Sequence, residues 1–184
     1  MKNITVGLFS AVIALQLAVP SSMLLKREMA LQHGQEFRFR TAPVDPFDAF
    51  RGRYVAIRVE ANQASAPTGE QLQYQQKVYA EIITDEQGFA KISRINTKKP
   101  QGVPYIQAKA GYSSGTQVSV NLPIDRYYME EKAAPKAERL YWNSSQDRKN
   151  GTYITVRIKD GFAVIDGLYI DGQRIEEALK NAKS

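Results

Sequence analysis

The chain has 184 residues, with 25 Lys and Arg against 19 Asp and Glu, one histidine and no cysteine. The missing cysteines exclude disulfide stapling and thiolate chemistry, and a single histidine, His33, excludes the usual zinc and copper sites. The formal net charge of +6 is modest and its basic residues come in scattered pairs, so nucleic-acid binding, which wants clustered cations interleaved with exposed aromatics, is not expected.

The first element is an uncharged run of 22 residues, Ile4 to Leu25, followed at once by Lys26, Arg27 and Glu28. At about 1.5 Å per residue, a helix of that length crosses the roughly 30 Å hydrocarbon core of a bilayer. Residues 1–27 are therefore read as an uncleaved signal-anchor, 28–34 as a linker and 35–184 as a β-rich soluble domain. Two alternatives stay open. A cleaved secretory signal would use Lys2 as its basic start and Pro20 as its helix stop, but a small-x-small site near Ser22 is lacking. A buried core helix would pass the same length test. A two-residue, positively charged N-terminal tail is the usual form of a signal-anchor that exports the domain behind it. That suggests a single pass of the inner membrane with a periplasmic domain. Lys26 and Arg27 on the other side balance Lys2 and the N-terminal amine, so the positive-inside rule does not decide the orientation.

Beyond the anchor the pattern is that of strands. Phe37 and Phe39 alternate with Arg38 and Arg40, and Val55, Ile57 and Val59 alternate with Ala56, Arg58 and Glu60. A polar loop over residues 61–76 comes next, with one turn of helix expected at 70–76. Residues 77–84 and 88–95 make a hairpin across Asp85-Glu86-Gln87-Gly88, and 105–110 and 117–122 make another around Gly111 to Gly115. Residues 153–158 run into Asp160-Gly161, a strong hairpin signal. The return strands 162–165 and 168–170 are divided by Asp166-Gly167, and Asp171-Gly172 closes the second. Helix is expected at 132–140 and at 173–182, where Ile175, Ala178 and Leu179 share a face. The fold class is mainly β: an N-terminal transmembrane helix, then an all-β sandwich or partly open barrel with one or two short helices.

One stretch is more specific. Thr41-Ala42-Pro43-Val44-Asp45-Pro46-Phe47-Asp48-Ala49-Phe50-Arg51-Gly52-Arg53-Tyr54-Val55-Ala56-Ile57 resembles the signature of the bacterial GDYxxLxY family. A second stretch, Ile124-Asp125-Arg126-Tyr127-Tyr128-Met129-Glu130-Glu131, is similar to that family's Arg-Tyr-aromatic segment with acids after it. Arg53 stands where the family has Asp, Ile57 where it has Leu, and Val59 where it has the final Tyr. The resemblance implies a membrane-anchored protein with a β-rich domain, often expected beside polytopic membrane proteins, and brings no activity with it.

The same residues have a plain physical reading. Asp45-Pro46 and Asp48 suit a turn, Gly52 suits a conformation that a Cβ would block, and Tyr54 begins a strand. That makes a corner leading into the strand. The functional alternative is a docking surface made of Asp45, Asp48, Arg51, Gly52, Arg53 and Tyr54, joined by Asp125, Arg126 and Tyr127 from the second stretch. No catalytic, cofactor or metal-ligating set stands out. A Gly-x-Ser-x-Gly elbow is absent, Glu130 and Glu131 are adjacent and so cannot flank one substrate, and no Asp-rich calcium loop occurs.

The leading expectation is a non-enzymatic, envelope-facing domain on a membrane tether, acting with a polytopic inner-membrane protein and needing no cofactor. The alternative is a periplasmic module that binds a small ligand or a lipid headgroup in the mouth of a β-barrel. A membrane hydrolase is a third reading, because Ser22-Met23 and Gly52-Arg53-Tyr54-Val55 are similar to pieces of membrane signal peptidases. The proline that usually comes after their Ser-Met-x is absent here.

Overall fold

The computed structural model describes residues 2–42, 54–65, 72–114, 116–146 and 151–181. In chain order these form α1 (Lys2–His33), β1 (Gln35–Ala42), β2 (Tyr54–Ala56), β3 (Arg58–Val59), β4 (Gln63–Ser65), β5 (Lys77–Thr84), β6 (Ala90–Asn96), β7 (Tyr105–Ser114), β8 (Gln117–Asn121), β9 (Arg126–Tyr128), α2 (Ala134–Gln146), β10 (Thr152–Lys159), β11 (Phe162–Ile170), β12 (Gln173–Arg174) and α3 (Ile175–Asn181).

Helix α1 is continuous over 32 residues, with Pro20 inside it. Ser22 is accommodated because its hydroxyl donates to the Val19 carbonyl at 2.7 Å. Large apolar side chains from Val6 to Met29 stand exposed along it. By length and composition this is a helix able to cross a membrane. It does not end where the charges begin. Residues 28–33, expected as a linker, are helical because Glu28, Met29, Ala30, Leu31 and Gln32 all favour helix, and the Gln32 amide bonds the Glu28 carboxylate four residues back. Ala30 is fully buried where the helix base packs on β10 and β11. Gly34 alone separates the helix from β1.

The strands form two five-stranded sheets and one pair. The first sheet runs β12-β11-β10-β1-β3 and the second β4-β8-β7-β5-β6, while β2 and β9 pair with each other. The outer strands β4 and β6 of the second sheet touch, so that sheet curls into a nearly closed, barrel-like form. Bridges at Arg38–Phe89 and Ile106–Gly161 join the sheets. The alternation seen in the sequence explains the core. Phe37 and Phe39 of β1 point inward with Ile154 and Val156 of β10, Val78 and Ile82 of β5, Ile106 of β7 and Leu168 of β11. Helix α2 covers one side with Ala137 and Tyr141, and α3 adds Ile175.

Three details depart from the sequence reading. Val55, Ile57 and Val59 are all buried on one face, as expected, but the ladder changes partner at Ile57: β2 pairs with β9, and β3 with β1. Strand β7 runs through Gly111 to Ser114 instead of turning there. A Cβ on Gly111 would lie 2.3 Å from the Ser119 hydroxyl, so the glycine admits a neighbouring strand and makes no turn. Strand β11 is likewise unbroken at Asp166-Gly167; a register shift opposite Thr155 and Val156 absorbs the extra residue as a bulge.

Candidate functional site

Pairing of β2 with β9 brings the two sequence stretches together. Their register is Tyr54 opposite Tyr128, Val55 opposite Tyr127 and Ala56 opposite Arg126. The Ile57 amide then donates to the Asp125 carbonyl at 2.8 Å, extending the contact by one residue. Because side chains alternate along a strand, Arg126 and Tyr128 face outward while Tyr127 and Val55 are buried. The sequence places Tyr127 on the docking surface; the structure puts it in the core instead, for this reason.

The outward face is an aromatic and cationic cluster. Tyr54 and Tyr128 meet with ring centroids 5.7 Å apart and planes tilted by 59°. The Arg126 guanidinium lies 5.2 Å from the Tyr54 ring centre, within range of a cation–π contact, and its Nε is 3.7 Å from Asp125. Its pKa is raised, first by the Tyr128 hydroxyl and then by the Asp125 charge. Tyr128 is 60% exposed, so the cluster is open to contact.

Tyr127 points the other way into a polar knot. Its hydroxyl donates to Glu176 Oε1 at 2.5 Å, and Arg174 Nε is 3.3 Å from Glu176 Oε2. Burial pushes the Tyr127 phenol up to about 12, with the Glu176 hydrogen bond acting in the same direction. Arg174 also donates to the Asp166 carbonyl. So β9 is tied to α3, β12 and the β11 bulge through one buried hydroxyl.

Between these two faces lies an open cleft of about 380 Å³. Arg27 of α1, Arg126 of β9 and Arg174 of β12 line it, with Tyr128, Phe162 and Asp166. A second open cleft of about 490 Å³ is mostly polar and is bounded by Glu81, Arg94, Asn96, residues 97–101 and Val103. Neither is the deep enclosed barrel mouth that a small-ligand module would need.

Asp45, Asp48, Arg51, Gly52 and Arg53 lie outside the described residues. Of the other expected surface residues, Tyr54, Asp125 and Arg126 come together on one outward face. Tyr128 belongs with them and stands in the second stretch, but only the strand register singles it out. Arg27 and Arg174 carry no signal in the sequence beyond their charge, because chain topology alone brings α1, β9 and β12 to one place. Ser22, the hydrolase candidate, is an ordinary helix residue bonded to the Val19 carbonyl. Among the described residues no group of three His, Cys, Asp or Glu side chains is placed to hold a metal.

A family model described as GDYXXLXY protein matches residues 16–168, from within α1 to within β11. The chain belongs to this family. Comparisons with curated proteins and with solved structures give no match.

Proposed function

We propose that this chain is a single-pass protein of the inner membrane whose periplasmic domain acts without catalysis, as an accessory to a polytopic membrane protein. The observation that carries this reading is the β2–β9 pairing. Two stretches far apart in sequence meet to form an outward cluster of Tyr54, Arg126 and Tyr128. The same strand pair borders the cleft that Arg27 lines at the base of α1. A cluster held there is within reach of the loops of a neighbouring membrane protein. Tyrosine and arginine are the residue types enriched at protein interfaces. The cleft beside this cluster is open, which suits docking.

The test is co-purification of the full-length chain from membranes, comparing the parent with a variant carrying Arg126→Glu and Tyr128→Ser. Both side chains are exposed, so melting should not change. Association with a polytopic protein should fall by about tenfold or more. Association at parental strength would remove the docking role from this surface.

A further inference from the structure

The cleft beside the docking cluster has a chemistry of its own. Its three arginines come from three separate elements, and its lining includes one carboxylate, Asp166. That carboxylate is already faced by Arg157, whose Nε is 3.9 Å away. Arg174 is committed to Glu176 and to the Asp166 carbonyl, so it is a fixed wall of the cleft. Arg126 shares its charge with exposed Asp125 at 3.7 Å, a pairing that solvent weakens. Arg27 has no ion-pair partner among the described residues. Among the described residues the cleft therefore offers an anion two guanidiniums, that of Arg27 without an ion pair and that of Arg126 with a solvent-weakened one.

Depth decides which anion. Arg27 lies two residues past Leu25, the end of the uncharged run, which is about 3 Å along a helix. If α1 spans the bilayer, as the proposed function requires, Arg27 stands at the level of the headgroup phosphates. The apolar members of the lining fit that level too. Phe162 is 44% exposed and Tyr128 60% exposed, and both border the cleft. Amphipathic aromatic rings such as that of Tyr128 are favoured at the headgroup level of a membrane interface. We propose that this cleft holds the phosphate of an anionic phospholipid headgroup, gripped by Arg27 and Arg126, with Phe162 and Tyr128 against its glycerol and upper acyl carbons. Guanidinium groups suit the task because they bind phosphate oxygens through paired N–H donors. The inference rests on α1 crossing the membrane, but not on a protein partner.

The experiment uses the purified full-length chain in detergent, without any partner protein. Phosphatidylglycerol, phosphatidylcholine and inorganic phosphate are offered separately, and bound species are counted by native mass spectrometry. The parent should retain phosphatidylglycerol over phosphatidylcholine. A variant with Arg27→Gln and Arg126→Gln should lose about tenfold of that retention, while Arg58→Gln with Arg139→Gln, the same charge change outside the cleft, should keep it. Equal retention of both lipids, or equal loss in both variants, would overturn the proposal. Arginine-dependent binding of inorganic phosphate without lipid preference would overturn the lipid source in favour of a soluble phosphate. Arg27→Gln alone separates this idea from protein docking, because it should impair lipid retention and leave partner co-purification intact.

Discussion

Gly34 is where the apolar helix α1 meets the β domain. The Gly34 amide closes the last turn on the Ala30 carbonyl at 2.8 Å, and the Arg157 guanidinium donates to the Gly34 carbonyl at 3.3 Å. Arg157 also reaches Glu36 at 2.9 Å, so one cation caps the helix end and pins β1 to it. A Cβ at position 34 would fall 2.3 Å from the Ala30 oxygen and 3.1 Å from the Ile158 nitrogen. Both are backbone atoms and cannot swing away. Gly34→Ala should therefore destabilise the chain by roughly 1–3 kcal/mol, the usual cost of overpacking. Thermal melting of the full chain would show it, and an unchanged melt would mean that the junction yields freely.

Tyr141 shows a second dependence at the same scale. It is buried on α2 and its hydroxyl donates to the Ala42 carbonyl at 3.1 Å. Burial raises its phenol to about 12. A pKa raised by folding means that the folded state holds the proton more tightly than the unfolded chain. The associated stability is fully present below about pH 10 and is lost as pH rises toward 12. Tyr141→Phe should cost about 1 kcal/mol near neutral pH but shrink the alkaline loss. Urea unfolding between neutral pH and pH 12 checks both parts. Tyr127, raised for a similar reason, would supply what alkaline dependence remains.

At the scale of elements, the β5–β6 turn shows how a few polar atoms fix a hairpin. Asp85 Oδ1 accepts the Gln87 amide at 2.9 Å and the Phe89 amide at 2.8 Å, and Gly88 takes a φ of 83°. Asp85 Oδ2 meets Arg40 at 3.0 Å and Lys91 at 3.5 Å, tying the turn to β1. The Phe89 amide first, and then Arg40, lower the Asp85 carboxyl to about 2. A depressed pKa contributes stability that is present above the unfolded value near 3.9 and disappears as pH falls through about 2. Asp85→Asn keeps much of the turn geometry but cannot titrate. It should flatten the stability loss between about pH 4 and pH 2, read from urea midpoints. A slope equal to the parent's would assign acid sensitivity elsewhere.

This hairpin is legible in the sequence because Asp and Gly at a turn act locally. The same holds for Asp160-Gly161, where both residues take positive φ, 51° and 82°. Legibility fails where a distant strand decides. Asp166-Gly167 has the composition of a turn but lies in a ladder with β10 that turns it into a bulge. The change of partner at Ile57 has no local mark, because the alternation of buried residues is the same on both sides of it. The candidate site obeys the same rule. Tyr54 and Arg126 can be singled out one by one, but their contact depends on β2 meeting β9. The contribution of Arg27 depends on α1 continuing past its charges to dock on the sheet.

At the scale of the whole molecule, the central feature is a direct, packed passage from an apolar helix into a curled β domain. A flexible linker would let the domain sample any height above the bilayer. Under the proposed function, a helix that packs on β10 and β11 through Ala30 would hold the cluster at one height. The exposed apolar length of α1 predicts that the full chain resists carbonate extraction and keeps its N-terminal mass. A soluble product beginning near Ser22 would instead identify a cleaved signal.

The docking claim is tested most directly by a photo-crosslinking residue placed at Tyr128 in the full-length chain in living cells, with Lys109 on β7 as the control position. The account predicts an adduct with one polytopic membrane protein from position 128 and none from position 109, with the adduct lost after Arg126→Glu. Equal labelling from both positions, or labelling at 128 that survives Arg126→Glu, would contradict it.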